Sequence, residues 1–345
     1  MTLMLGCMTV FAQKIDKNEL KQLVTFLSQP AEKASSNAVA LGISDLKNPA
    51  AFPGITVENG HVTAIEMKDK GLAGTLDLSG FKALTKVDVS RNKLTSVSFA
   101  NDAALADVNV SRNKISSADF SGCTGLVKLY VYKNRLTELN LADIPLIQNI
   151  NISNNLLVEL NVSNSATLKT LNCQGNHLEQ LSVDNCTNLK NLYCGYNKLT
   201  ALTLSGLTNL TNLNVDNNEI SKLVVSNLPS LSSFLCSDNN MQQLAVNNCT
   251  ALLDLVCSYN NLTALNVEGC TGLLFVDCSY NDLTTLTLSN QNYLQRLLCN
   301  NNQLMTLDVS FDPALTYINC RYNMITDLRT IGDNNLGMIA CQWNY

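Results

Sequence analysis

One asparagine recurs every 21 residues through most of this 345-residue chain, and this period limits the folds available to it. The surrounding residues repeat as well: LVCSYNNLTALNV begins at Leu255 and LYCGYNKLTALTL begins at Leu192. A fixed period of about 20–30 residues is typical of solenoids, in which each repeat packs only against its neighbours. We call these asparagines the Asn ladder and number the other positions of each repeat from them. The ladder consists of Asn92, Asn113, Asn134, Asn155, Asn176, Asn197, Asn218, Asn239, Asn260, Asn281, Asn302, Asn323 and Asn344.

Apolar residues hold fixed positions around the ladder, at −8, −5, −3, +2, +5 and +7. In the repeat of Asn260 they are Leu252, Leu255, Cys257, Leu262, Leu265 and Val267. The −5 and −3 pair predicts a short strand with one inward face, and stacked repeats would join these strands into a parallel sheet. Because 21 residues leave no room for a full helix, the other face should be extended or 3₁₀. A buried ladder amide can bond backbone groups of its own turn and of the next repeat.

Twelve of the thirteen cysteines fall into two columns of the repeat. Other repeats carry Val or Ile at −3, so we interpret these cysteines as buried free thiols. Neighbouring parallel strands lie about 4.8 Å apart with side chains pointing the same way, whereas a disulfide needs Cβ atoms about 3.8 Å apart and turned together. A straight file of thiols also cannot close a zinc tetrahedron. We therefore predict no disulfide, metal or cofactor. The −3 column holds Cys173, Cys194, Cys236, Cys257, Cys278, Cys299, Cys320 and Cys341, and the +10 column holds Cys123, Cys186, Cys249 and Cys270.

The first residues have the character of an export signal. Residues 1–12 are apolar and end in the small-residue site Val10-Phe11-Ala12, so we interpret them as a signal-peptide remnant. Cleavage near Ala12 is favoured over lipidation at Cys7, whose MLGC context resembles a lipobox. An ordinary cytoplasmic N-terminus is the third alternative.

A helical cap and connector are expected over residues 13–60. Asp16 and Glu19 have capping-box spacing at the start of an amphipathic helix over 16–29. Asn59-Gly60 between two strand-like runs predicts a hairpin. An atypical first repeat over 61–83 then opens the array, which runs over 61–345 without a C-terminal cap, so we expect a fragment or a lost anchoring region.

Composition and motifs argue against several classes of function. Charged residues make up 15% of the chain and the net charge is −5, which gives no electrostatic footprint for nucleic acid. No apolar run approaches the length of a membrane span. His61 and His177 lie far apart, and no phosphate loop, zinc spacing or nucleophile elbow is present. We therefore expect no enzymatic activity.

We expect positions −6, −4, −2 and −1 to lie on the outward face of each strand. These positions vary between repeats and carry eight of the ten tyrosines. The −1 column changes from basic at Arg91 to aromatic at Trp343. Exposed apolar area often marks an interaction site, and Tyr and Trp are favoured anchors. Alternatively, these side chains only stack between repeats and stabilise the sheet. The candidate ligand-binding residues are Tyr196, Leu235, Val256, Tyr259, Phe275, Tyr280, Leu298, Tyr317, Tyr322 and Trp343.

The pattern LxxLxC/VxxNxL over residues 61–345 resembles the leucine-rich-repeat signature. The 21-residue variant with a Cys column and LTxLxV after the Asn resembles the bacterial internalin family, particularly its cysteine-ladder members. The FAQ end of the leader is similar to exported Bacteroidetes proteins. These resemblances imply a right-handed, β-rich superhelix of the α/β type, with a parallel sheet on its concave face and an extended or 3₁₀ convex face. They also imply a secreted or cell-surface module that binds a protein or glycan through the concave sheet.

Two hypotheses for function stay open at this point. The first is the non-enzymatic recognition module, and the alternative is a structural spacer that presents another domain and has no ligand of its own. No wall anchor, immunoglobulin-like cap or mucin-binding module follows the array, so host invasion does not carry over from the family. The oligomeric state is open, since an exposed C-terminal end could self-associate.

Overall fold

Two compact units, Met1–Leu136 and Thr137–Tyr345, make up the chain. The computed structural model describes residues 15–47, 52–142, 144–288, 291–310, 312–332 and 335–344. The expected signal-peptide remnant and Cys7 lie outside the described residues. Each unit is a β-rich solenoid whose strands repeat with the 21-residue period, so the predicted fold class is confirmed.

The N-terminal unit begins with two helices, α1 (Lys17–Leu27) and α2 (Asn37–Ala40). Asp16 caps α1 as predicted, since its Oδ1 accepts the amides of Asn18 at 2.8 Å and Glu19 at 3.2 Å. The reciprocal half of the capping box is wrong. The Glu19 carboxylate turns inward, where it accepts the Val62 amide at 2.8 Å and lies 2.9 Å from His61 Nδ1. Glu19 therefore fastens α1 to the first repeat.

Two layers of strands build the rest of this unit. The hairpin predicted at Asn59 and Gly60 is confirmed, with both residues at positive φ between antiparallel β1 and β2. Strands β2, β4, β6 and β8 form a parallel front sheet, and β3, β5 and β7 form a parallel sheet behind it. The strands are β1 (Ile55–Glu58), β2 (His61–Glu66), β3 (Ala73–Asp77), β4 (Lys86–Asp88), β5 (Lys93–Ser98), β6 (Asp107–Asn109), β7 (Ser117–Asp119) and β8 (Lys128–Tyr130).

The front strands of the C-terminal unit are three residues long and pair in parallel. Each residue pairs with the residue 21 positions later, as Leu255 does with Val276. The front sheet of this unit is β9-β11-β13-β14-β16-β18-β20-β22-β24-β26, and the back strands pair as β10-β12, β15-β17-β19-β21 and β23-β25. Of the two alternatives for the back, the described residues adopt the extended one. The strands are β9 (Asn149–Asn151), β10 (Glu159–Asn161), β11 (Thr170–Asn172), β12 (Gln180–Ser182), β13 (Asn191–Tyr193), β14 (Asn212–Asn214), β15 (Lys222–Ser226), β16 (Ser233–Leu235), β17 (Gln243–Asn247), β18 (Asp254–Val256), β19 (Ala264–Asn266), β20 (Phe275–Asp277), β21 (Thr285–Thr287), β22 (Arg296–Leu298), β23 (Thr306–Asp308), β24 (Tyr317–Asn319), β25 (Asp327–Arg329) and β26 (Met338–Ala340).

The inward columns form the core. Leucines, valines and the column cysteines are buried between front and back strands. Cys341 is the exception among the column cysteines, and it is exposed because the described residues place no further repeat against it. Eleven other cysteines are buried free thiols.

The side-chain amide of a ladder asparagine links two repeats because it bonds backbone groups in both. Asn218 Nδ2 donates to Val215 O at 3.0 Å within its own turn and to Cys194 O at 3.1 Å in the preceding repeat. Its Oδ1 accepts the Leu199 amide at 3.0 Å. This arrangement satisfies polar backbone groups that water cannot reach. It also fixes the turn that carries the neighbouring −1 side chain.

Candidate functional site

The −1 column lies in a turn, which corrects the expectation that it belongs to the strand. The front strands end at −4, as β18 ends at Val256 four residues before Asn260. Every −1 residue that precedes a ladder asparagine has a left-handed backbone, with φ between 54° and 65°. Its amide donates to the next repeat, as Tyr259 N does to Ser279 O at 3.1 Å. The column therefore runs along the edge of the front sheet in an unusual backbone conformation.

This backbone conformation suits some −1 residues and not others. Gly175, Asn154 and Asn217 adopt it readily, since glycine lacks a Cβ and asparagine tolerates left-handed φ. Tyrosine or tryptophan there costs on the order of 1–2 kcal/mol. Five aromatic residues nevertheless occupy this column, at Tyr196, Tyr259, Tyr280, Tyr322 and Trp343. Residues that are disfavoured at a strained backbone position are often found at functional sites.

Four of these aromatic side chains form two stacked pairs. The rings of Tyr259 and Tyr280 have centroids 4.3 Å apart and planes 8° apart. Those of Tyr322 and Trp343 are 5.9 Å apart with planes 5° apart. All four are exposed, and Tyr196 is 62% exposed with no ring contact among the described residues. The column thus presents two flat aromatic pairs to solvent, separated by the repeat of Asn301.

The other candidate residues lie on the front strands and are half-buried. Leu235, Val256 and Leu298 occupy −4, and Phe275 and Tyr317 occupy −6. The apolar side chains at these positions predict a hydrophobic, aromatic patch on the front face, but two charged residues interrupt it. Asp277 pairs with both Val256 and Leu298 in the −4 column.

Arg296 lies between Phe275 and Tyr317 in the −6 column. Its Cζ is 5.4 Å from the Phe275 ring centroid and 5.7 Å from that of Tyr317, so it makes a cation–π contact with each ring. The front face here combines aromatic and aliphatic surface with a cation. It is not a continuous hydrophobic patch.

A cluster of outward amides, which the sequence analysis missed, lies between the two aromatic pairs. Asn319 Nδ2 donates to Asn300 Oδ1 at 2.9 Å, and Asn300 Nδ2 donates to Asn301 Oδ1 at 2.9 Å. In the next repeat, Arg321 Nε donates to Gln342 Oε1. The run Asn300-Asn301-Asn302 was the available signal, but only its last member belongs to the ladder. These side chains supply both donors and acceptors beside exposed rings.

Burial keeps the thiols of the buried column cysteines protonated, except at Cys249, where a hydrogen bond with the Cys270 thiol lowers the pKa. Burial raises the pKa of Cys173 and of Cys123 to about 12, so both thiols stay protonated near neutral pH. Cys123 Sγ donates to Phe99 O at 3.1 Å, and Cys186 Sγ donates to Val162 O at 3.0 Å. A protonated thiol is a poor nucleophile and metal ligand. Within the described residues, no group of three His, Cys, Asp or Glu side chains is placed to hold a metal ion.

Asp102 is a second residue that the sequence analysis missed. It occupies the +10 column in place of cysteine and is fully buried. Neither carboxyl oxygen has a hydrogen-bond partner among the described residues, and burial raises the pKa of the carboxyl to about 7, although the nearby Phe81 and Gly80 amides favour its charged form. Aligning the +10 column would have found it, because a charged residue replaces a small apolar one there.

A groove of about 720 Å³ lies between α1 and β3 in the N-terminal unit. Asp16, Asp77, Lys21 and Lys82 line it together with polar side chains. Its charges are mixed, so it favours neither anions nor cations. None of the helices that the structure describes is long and apolar enough to cross a membrane.

The chain is similar in structure to leucine-rich-repeat proteins. The functional domain of InlJ from Listeria monocytogenes, which includes a cysteine ladder, is 28% identical over 80% of this chain, with a TM-score of 0.58. This chain spans 54% of that domain, about half of its length. The recognition of an internalin-like, cysteine-ladder leucine-rich-repeat solenoid is thereby confirmed.

Two further structures share the fold at lower identity. The leucine-rich effector YopM from Yersinia pestis is 22% identical over 93% of this chain and 80% of its own, with a TM-score of 0.62. The LRIM1/APL1C complex contains a chain 18% identical over 83% of this chain and 62% of its own, with a TM-score of 0.57. No protein-family model and no curated protein matches the sequence. These two likenesses show the shared fold.

Proposed function

We propose that this protein is a non-enzymatic recognition module, secreted or displayed on a cell surface, that binds a protein or glycan. The binding surface is the outward face of the C-terminal front sheet together with the adjacent −1 column. The observation that carries the proposal is the row of five exposed aromatic residues held in left-handed turns. Aromatic side chains are effective anchors because they bring large, rigid contact area at low entropic cost.

The front strands support the same surface. Leu298 and Val256 supply half-buried aliphatic contact area, and Arg296 supplies a cation held between two aromatic rings. Mixed aromatic, aliphatic and arginine surface is characteristic of the centres of protein interfaces. The leader-like residues 1–12 and the similarity to InlJ favour export.

A triple substitution tests the proposal. The full chain and the variant Tyr259→Ala, Phe275→Ala, Tyr280→Ala are applied to arrays of cell-surface proteins and polysaccharides. We expect the wild type to give specific signals that the variant loses. The matched control is Val224→Ala, Tyr293→Ala, Met305→Ala, which removes similarly exposed side chains outside the front sheet and the −1 column. Equal signals from the test and control variants, with both folded, would refute the proposed surface.

The spacer remains the second candidate because some of these contacts are already internal. Tyr259 stacks on Tyr280, and Arg296 lies between two rings, so part of the surface stabilises adjacent repeats. Specific binding by the isolated repeat array would contradict the spacer. Absence of any specific signal from the wild type would favour it.

A further inference from the structure

We propose that the −1 column binds a glucose-configured pyranose ring in the space between Tyr280 and Tyr322, above Asn301. We call this space the aromatic slot. The inference rests on the proposed function and narrows its ligand to a glycan. Its starting point is the juxtaposition of two parallel aromatic pairs with one small polar residue between them.

Each wall of the slot is one ring of a stacked pair, and the outer ring of that pair holds its orientation. Tyr280 stacks on Tyr259 and Tyr322 stacks on Trp343, with interplanar angles of 8° and 5°. Each ring therefore lies across the direction in which the repeats are stacked. Tyr280 and Tyr322 turn their remaining faces toward the intervening repeat, where Asn301 replaces an aromatic residue.

The width of the slot selects the shape of its occupant. Tyr280 and Tyr322 are two repeats apart, which places their planes about 9–10 Å apart at the spacing of parallel strands. Carbon contact takes up about 3.5–4.0 Å at each wall, which leaves about 2 Å for the thickness of the bound group. A planar guanidinium or aromatic side chain would touch only one wall. A puckered ring is thicker than a planar group, so it fills more of this gap.

Two aromatic walls also require an occupant with two apolar faces. In a glucose-configured ring the hydroxyls are equatorial, so both faces present C–H groups and the hydroxyls point outward around the rim. An axial hydroxyl, as in mannose or galactose, would be pressed against one ring and lose its hydrogen bonds to water. The slot therefore discriminates by stereochemistry.

Polar side chains lie where the equatorial hydroxyls would emerge. Asn301 forms the floor of the slot, with Asn300 bonded to its Oδ1 at 2.9 Å and Asn319 bonded to Asn300 at 2.9 Å. The connected amides fix one another's orientation, so donors and acceptors are held in place before a ligand arrives. Arg321, on the neighbouring repeat and bonded to Gln342, adds a cationic donor at −2.

Binding of defined hexasaccharides by the full chain tests the proposal. Calorimetric titration with cellohexaose should show binding, and β-1,4-mannohexaose should bind at least tenfold more weakly. Asn301→Tyr fills the slot with a side chain that four other repeats already carry at −1, so the fold should be kept and cellohexaose binding lost. Tyr322→Ala removes one wall and should weaken binding at least tenfold. Tyr293→Ala removes a similarly exposed tyrosine outside the front sheet and the −1 column, and it should leave binding unchanged.

Three outcomes would overturn the slot. They are absent cellohexaose binding, equal binding of the two sugars, and unchanged binding by folded Asn301→Tyr. A protein on the arrays could bind the wild type but not the Tyr259, Phe275 and Tyr280 variant, while cellohexaose does not bind. In that case the glycan inference fails and the proposed function stands. If neither experiment shows a ligand, both fail.

Discussion

Truncating one ladder residue in the middle of the C-terminal unit should destabilise the protein strongly. Asn218 is 8% exposed, and its side chain bonds Leu199 N, Cys194 O and Val215 O at 3.0 to 3.1 Å. Asn218→Ala removes all three partners at once. It leaves the Leu199 amide without a partner, whereas Cys194 O and Val215 O each lose one of two side-chain donors and keep Asn197 and Asn239 respectively.

The size of the effect follows from those three groups. The orphaned Leu199 amide costs about 1–3 kcal/mol and each bond lost at the two carbonyls costs about 0.5–1.5 kcal/mol, while a water molecule entering the vacated space can recover part of that cost. We expect a net loss of about 3–5 kcal/mol, which is a large share of the roughly 5–15 kcal/mol that stabilises a typical domain. The loss should be local first, because each repeat depends on its neighbours.

Urea denaturation followed by circular dichroism measures the global loss, and amide hydrogen exchange at Leu199 measures the local one. Asn209→Ala is the matched control, since Asn209 is exposed and makes a single 2.8 Å bond to Thr187 O. It should cost less than about 1 kcal/mol. An Asn218→Ala protein as stable as this control, or an unchanged exchange rate at Leu199, would refute the assigned role of the ladder.

Two further predictions concern buried ionisable groups. The pKa of Asp102 is about 7 in the folded state and about 3.9 in an unfolded chain, so the folded state holds the proton more tightly. The free energy of unfolding should therefore fall as pH rises from about 4 to about 7, by up to about 1.4 kcal/mol per pH unit. Urea midpoints measured across this range should lose that slope in Asp102→Asn; parallel profiles for the two proteins would contradict the assignment. Among the described cysteines, only exposed Cys341 should react quickly with Ellman's reagent in the native protein, and all should react in denaturant. A lower total in denaturant would reveal disulfides.

The repeating columns explain why so much of the fold was predictable. A residue that recurs thirteen times at one spacing occupies the same structural environment thirteen times. The role of one polar residue in a turn, or of one inward cysteine, can therefore be inferred from the equivalent residues of the other repeats. Leu255 and Val276 pair in register because their repeats have equal length. The same logic placed the thiols in the core and the ladder amides in the turns.

The turn at −1 was missed because the strand was expected to extend too far. Period-two alternation does not reveal that a strand ends after three residues. The signal was present in the composition of the column, where Asn154, Gly175, Asn217, Asp238 and Asn301 all tolerate left-handed φ. The aromatic members of the column concealed it.

Other features depend on contacts that the spacing of residues does not encode. Glu19 has the spacing of a capping box, yet its carboxylate is bound by Val62 N and His61, 43 and 42 residues later in the chain. Arg296 is readable as a charged residue in the −6 column, but its place between two rings follows only from strand pairing. Such partners are determined by packing across the sequence.

The energetics of the −1 column bear on the choice between a recognition module and a structural spacer. A stacked aromatic pair contributes about 0.5–1.5 kcal/mol, whereas each left-handed aromatic residue costs on the order of 1–2 kcal/mol, so stacking offsets at most part of the strain in Tyr259 and Tyr280. Tyr196 has the same strained φ of 56° and no ring contact among the described residues. A spacer selected for stability alone would carry Gly or Asn there, as Gly175 and Asn217 do in the adjacent repeats. Stability therefore does not account for the aromatic members of the column, and ligand binding is the explanation that our proposals put to the test.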